Sequence, residues 1–147
     1  MKQEDVIVRK FREEDYDAVI SLWHLGEIPY KPRGRDTRDK ILVEITKDTA
    51  IFLVAEVNGE TVGTVLGTHD GRKGWINRLA VAPEFRHQGI ARRLLKEAEN
   101  AIHNLGIEII ACLIEDYNRV SMDFFQKAGY TEHKDIIYFT KRNHPEV

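Results

Sequence analysis

The chain has 147 residues, 42% hydrophobic and 31% charged, with a formal net charge of -2 from 22 basic and 24 acidic side chains. That length fits one core and one domain, residues 1–147, and the near-balanced charge gives no general attraction to nucleic acid or anionic lipid. Cys112 is the only cysteine, which excludes an internal disulfide framework and a multi-cysteine zinc site; with no apolar run near ~20 residues, a cytoplasmic protein without export signal or anchor is expected.

Val6, Val8 and Phe11 with Ile7 between them predict an opening strand, and the acidic "REEDYD" that follows suits a helix N-terminus. In "DYDAVISLWHL", Tyr16, Val19, Leu22 and Trp23 fall at helical spacing, and Gly26 ends the pattern. "EIPYKPRGRD" carries two prolines, a glycine and three basic residues, which predicts a mobile loop, a candidate substrate lid, feeding a second helix around residues 37–46. "AIFLVAEV", "NG" and "ETVGTVLGTHD" form a hairpin signature, because Asn58 and Gly59 tolerate the positive φ of a two-residue turn. "DGRKG" makes a second turn and "WINRLAV" a third antiparallel strand that stops at Pro83, which has no N–H to donate.

From Gly89 onward, Ile90, Ala91, Leu94, Leu95, Ala98, Ala101, Ile102 and Leu105 make a wide apolar stripe on a long helix, with Gly106 as its expected cap. "IEIIACLI" is short and nearly all apolar, as for a central strand covered on both faces. "NRVSMDFFQKAG" predicts a further helix between Asn118 and Gly129, and "DIIYFTK" a closing strand. The order implies an α+β fold: a mixed sheet with an antiparallel N-terminal meander and a parallel central pair, flanked by about four helices.

The stretch "RHQGIA" sits where a strand ends and a helix begins. The first amides of a helix lack intrahelical acceptors and the dipole adds positive charge, so the N–H groups from Gln88 through Gly89, Ile90 and Ala91 to Arg92 can cradle an anion. Arg86 and Arg92 add side-chain charge, and a pyrophosphate matches the nest in size and charge. On spacing alone, a glycine that merely shapes the start of a core helix is equally consistent.

The strand "LAVAPEFR", the R-x-x-G-x-A turn with its helix, and "NRVSMDFFQKAGY", with Asn118, Ser121, Phe125, Gly129 and Tyr130 at patterned positions, together resemble the GNAT superfamily of acyl-CoA-dependent N-acetyltransferases. The early "FREEDYDAVISLW" and "FLVAEVNGETVGTV" also look like that family's first helix and hairpin, so the resemblance covers nearly the whole chain. It implies acetyl-CoA as cosubstrate, an amine acceptor and no metal. It further implies pyrophosphate on the amides of Gln88 to Ala91 with Arg86 alongside, pantetheine along the backbone of Leu79, Ala80 and Val81, an oxyanion held by an N–H near Leu79 or Ala80, and Asn118 against the pantetheine arm.

An alkylammonium, with a pKa of about 10.4, must lose a proton before it attacks a thioester. Where family members commonly place a tyrosine acid this chain has Phe125, so Tyr117, Tyr130 and Tyr138 are the substitute candidates, with Tyr117 preferred. "WINRLAV" offers no carboxylate, and Asn77 is not a base; Glu115, at the end of the expected central strand, is the preferred base, ahead of His69. Glu27 and Tyr30 beside the loop are candidates for amine recognition, and Lys31, Arg33, Arg35 and Arg38 raise an acidic acceptor. Cys112 reads as a core residue.

The leading expectation is an acetyl-CoA-dependent N-acetyltransferase. A noncatalytic acyl-CoA-binding or sensing module is the alternative, and a nucleotide-phosphate enzyme a weaker one without a G-x-x-x-x-G-K-[ST] motif. The acceptor's identity and the oligomeric state are not written in the sequence, although a C-terminal edge strand can pair in a homodimer.

Overall fold

The structure is a computed structural model that describes residues 5–147. Five strands form one sheet in the order β1-β2-β3-β4-β5. They are β1 (Val6–Lys10), β2 (Ala50–Val57), β3 (Glu60–His69), β4 (Lys73–Val81) and β5 (Ile109–Ala111), with helices α1 (Tyr16–Leu25), α2 (Arg38–Glu44), α3 (Ile90–His103) and α4 (Arg119–Lys127). The first four strands pair antiparallel and β4 pairs parallel with β5, as the crossover through α3 requires.

Asn58 and Gly59 take φ of 51° and 81° and join β2 to β3 as the predicted tight turn. Both faces of the sheet are covered, so Val62 and Val65, on opposite faces of β3, are each 0% exposed. α1 covers one face: its buried residues are Val19, Leu22 and Trp23, and the Trp23 ring stacks 6.2 Å from Phe52. α3 covers the other, laying Ile90, Leu94, Leu95, Ala98 and Ile102 into the core. Gly74 makes room for it, since a Cβ there would meet Ile102 Cγ2 at 2.8 Å. Arg93 then ties α3 across to β1, donating to the Val6 carbonyl at 2.5 Å. α3 ends at His103 with Asn104 as its cap; Gly106, at φ 83°, bends the chain two residues later than a cap would.

Two expectations fail at the C-terminal side. β5 is an edge strand rather than a central one, and Ile109 and Leu113 are 53% and 52% exposed. "DIIYFTK" forms no strand: residues 136–140 carry no regular structure, and Ile136, Ile137, Tyr138 and Phe139 stand in solvent. With the closing run outside the sheet, β5 has β4 as its one strand neighbour among the described residues.

Candidate active site

β4 and β5 pair only through Lys73, Gly74 and Trp75 against Ile109, Ile110 and Ala111. Beyond that the strands separate, and a bulge in β4 lies where they do. Thr64 faces Ala80 while Leu66 faces Asn77, so one extra residue has been taken up on β4 around Arg78 and Leu79. Arg78 carries the distortion as a left-handed residue, φ 52°. A bulge bends its strand and raises the local twist, and it leaves a gap, the candidate cleft, where residues 76–81 of β4 have no ladder partner in residues 112–115 after β5. Leu79 is half-buried and Ala80 and Val81 are buried, so these side chains serve the core while their backbone borders the cleft.

Because β4 and β5 are parallel, the helices that follow them both start at the same end of the sheet, on the two sides of this cleft. α3 begins after a turn in which His87 and Gly89 take φ of 62° and 82°. Its first bond runs from Arg93 N to Gly89 O at 3.1 Å, which leaves the amides of Ile90, Ala91 and Arg92 outside the helical ladder. The N-cap residue, Gly89, has no side chain with which to cap them. Gln88 is half-buried and Arg92 exposed beside this end, whereas Arg86 folds back and its Nε donates to the Val81 carbonyl at 3.0 Å. Arg86 thus clamps the turn to the end of β4. Uncapped amides, left-handed backbone and nearby cations are what a pyrophosphate needs, so these residues fit coenzyme A.

On the other side, Asn118 Oδ1 accepts from Ser121 N at 3.1 Å and caps α4. Glu115 and Tyr117 are exposed in the turn that precedes it, and the Glu115 carbonyl accepts from Asn118 N at 2.9 Å. The structure therefore brings Glu115, Tyr117 and Asn118 together at one wall of the cleft. Phe125 is 7% exposed, with Phe124 and Tyr130 edge-on at 5.3 and 5.0 Å, and belongs to the core. Tyr130 donates its hydroxyl to Glu99 Oε2 at 2.7 Å, and burial together with this bond pushes its pKa well above the usual phenol value. The bond commits the phenol proton to Glu99. Tyr138 lies on the exposed run. His69 is engaged at both ring nitrogens, near Asp48 O at 3.2 Å and accepting from Gly71 N at 3.0 Å, and shapes a turn. Burial pushes the Cys112 thiol up to about 11, so it stays protonated and unreactive at neutral pH.

Residues 26–37 are not the free lid the composition suggests. Asp36 is 3% exposed; it accepts from Lys31 N at 2.6 Å and from Arg78 Nη1, while its carbonyl accepts from Tyr16 Oη at 2.7 Å. The Arg78 guanidinium also lies 4.6 Å from the Trp23 ring centroid. Tyr30 is half-buried 6.0 Å from the same ring, and Glu27 is exposed with φ 54°. The loop is therefore fastened to the β4 bulge through a buried ion pair. Of the four basic residues singled out near it, Arg38 is committed to Glu13 at 3.5 Å and to the Tyr16 ring.

The chain matches the Acetyltransferase (GNAT) family over residues 13–130. It belongs to the GNAT acetyltransferase family. Membership places it among the N-acetyltransferases, an enzyme class. Solved structures share the fold. AAC(6')-Iy in complex with the bisubstrate analog CoA-S-monomethyl-acetylneamine superposes with a TM-score of 0.78 at 18% identity over 93% of this chain and 98% of that one. PaiA N-acetyltransferase from Thermoplasma acidophilum in complex with coenzyme A gives 0.78 at 24% over 89% and 92%. Glucosamine-6-phosphate N-acetyltransferase from Arabidopsis thaliana gives 0.73 at 19% over 95% and 99%. Among the described residues of this GNAT chain no helix is long and apolar enough to cross a membrane, and no group of three or more His, Cys, Asp or Glu could hold a metal ion.

Proposed function

We propose that this GNAT chain transfers an acetyl group from acetyl-CoA to a primary amine by direct attack in the cleft between β4 and β5. The observation that carries the reading is the uncapped start of α3 at the mouth of that cleft. Acetyl-CoA supplies a thioester-activated acetyl group whose thiolate, with a free thiol pKa of about 8.5, leaves with little help from an acid. A phenylalanine at position 125 is compatible with turnover for that reason.

In this reading the amides of Gln88, Gly89, Ile90, Ala91 and Arg92 bind the pyrophosphate, with Arg86 holding the turn in shape. The unpaired edge of β4 at Leu79, Ala80 and Val81 lines the pantetheine arm, and an amide of the bulge near Leu79 or Ala80 holds the developing oxyanion. Asn118 orients the arm from the opposite wall. Glu115 takes a proton from the acceptor's ammonium, the free amine then attacks the thioester carbonyl, and Tyr117, in the same turn, is the hydroxyl available to the leaving sulfur. Glu27 and Tyr30 face the acceptor from the pinned loop, and the acceptor is a small molecule, a protein N-terminus or a lysine. A chain whose only cysteine is Cys112 forms no internal disulfide, which suits a reducing, cytoplasmic setting.

The test is thermal unfolding with acetyl-CoA, free CoA, or ATP with Mg²⁺, followed by thiol release over a panel of amines. A ligand at ~100 times its Kd adds about 2.7 kcal/mol to stability. Stabilisation by both CoA compounds and not by ATP, with amine-dependent thiol release, is expected. Stabilisation by none of them overturns the proposal.

A further inference from the structure

Two glycines fix which way β4 faces before and after its bulge. A Cβ at Gly74 would meet Ile102 of α3, and a Cβ at Gly63, the β3 partner of Val81, would meet Leu94 and Ile90 of α3. Since cross-strand partners share a face, positions 74 and 81 of β4 look toward the same helix. They are an odd number of positions apart, and unbroken alternation would set them on opposite faces. One residue between them is out of phase. By its even distance from Gly74, Arg78 belongs on the α3 face, yet its guanidinium lies over the Trp23 ring of α1 and donates to Asp36. Its left-handed φ of 52° turns it there, a conformation disfavoured for a residue with a Cβ.

We propose that Arg78 and Asp36 are positioning residues for the reaction: their side chains hold the backbone of residue 78 left-handed and so fix the bulge amides beside the thioester carbonyl. The inference rests on the acetyl-transfer reading. Asp36 is a fixed post. Its carboxylate accepts from Lys31 N at 2.6 Å, its own N–H donates to the Lys31 carbonyl at 3.0 Å, and its carbonyl accepts from Tyr16 Oη at 2.7 Å. Trp23, 1% exposed and stacked on Phe52, is the second surface of the anchor. A guanidinium held between a buried carboxylate and a buried ring keeps its Cα from turning back to the α3 face. The side chain thereby offsets the strain and keeps the extra residue of β4 at position 78. Without that anchor the extra residue is free to be taken up at a neighbouring position, and the amides of Leu79 and Ala80 turn with it. The proposed oxyanion site is made of those amides, and a misplacement of about 1 Å at a reacting centre is enough to lose roughly 10²-fold in rate. Neither side chain touches a substrate in this role; both act through the backbone.

The experiment compares two double variants that lose the ion pair equally and differ in what residue 78 can adopt: Asp36→Ala with Arg78→Met, and Asp36→Ala with Arg78→Gly. Glycine takes a positive φ without strain and suits a bulge of this kind, whereas methionine has nothing to hold it there. Both variants loosen the acceptor loop, so the KM for the amine should rise alike in the two. The kcat is expected to fall by roughly 10²-fold in the methionine variant. The glycine variant is expected to recover most of that loss, with free CoA bound by both in calorimetric titration. Equal kcat in the two, at the native level or below it, overturns the proposal, because the pair would then serve the loop or the fold alone. If the methionine variant does not fold, Asp36→Asn is compared with Asp36→Asn, Arg78→Gly. A higher kcat in the second is then expected, and an equal or lower one overturns the proposal. A native protein that binds CoA but releases no thiol with any amine overturns the acetyl-transfer reading itself and this inference with it, an outcome distinct from native turnover with equal variants.

Discussion

Arg78, at the bulge of β4, donates to Asp36, in the loop between α1 and α2, and both side chains are buried, at 10% and 4% exposure. The pair joins the strand that borders the proposed thioester site to the loop that borders the proposed amine site. Replacing Asp36 by Ala leaves a buried guanidinium uncompensated, and breaking such pairs costs roughly 3–5 kcal/mol. Denaturant unfolding of Asp36→Ala should show a loss of that order. Adding Arg78→Met should restore part of it, because an apolar replacement of both partners is far better tolerated.

Gly89 holds φ 82° at the start of α3, where a Cβ is strained. Gly89→Ala should lose about 1 kcal/mol of stability and weaken coenzyme A by roughly tenfold, read by calorimetric titration. Asn118→Ala should cost a similar stability through the lost cap on α4. Equal CoA affinity in the native protein and Gly89→Ala would contradict the cradle.

Glu115→Gln should lower kcat by roughly 10²–10⁴ with the KM for acetyl-CoA little changed. Tyr117→Phe should cost less than about tenfold, since the thiolate leaves with little help. An unchanged kcat in Glu115→Gln would move the base elsewhere.

Stability should fall on the acid side through Asp15. Burial opposes its charge, but bonds from Arg9 at 2.8 and 2.9 Å, from Arg12 N and from Thr61 prevail and hold its pKa below the ordinary carboxylate value. A depressed folded pKa means that the contribution is complete above the unfolded value of about 3.9 and is lost as pH falls from there through the folded value. Asp15→Asn should be less stable at neutral pH and show a shallower decline in that acid window, measured by urea unfolding at several pH values.

Much of this fold was legible because its signals are local. Asn58 and Gly59 announce their hairpin, the stripe from Ile90 to Ile102 announces its helix, and the α3 crossover forces β4 and β5 to be parallel. The fastening of the acceptor loop was not legible, since Asp36 and Arg78 are separated by 42 positions and neither stands in a motif. A lone arginine inside the apolar run "WINRLAV" was the available hint, because such a residue needs a buried partner. His87 was missed as a left-handed residue, glycine having drawn attention to its own position only. The closing run failed for a different reason. Its composition does favour a strand, but a strand also needs an edge to pair with, and composition does not record where the contacts at Tyr130 and Glu146 leave the run.

The bulge in β4 also makes the number of residues in that strand a functional quantity. Between Asn77 and Ala80 the strand takes three steps while β3, from Leu66 to Thr64, takes two. Deleting either Arg78 or Leu79 would restore an even ladder, let β4 run on beside β5 and zip the cleft shut, and every side chain earlier or later in the strand could still be the native one. An insertion of one more residue would instead turn Leu79 and its neighbours to the opposite face of the sheet. Tolerance to single-residue gaps should therefore vanish at this point of the chain, even where amino-acid replacements are accepted.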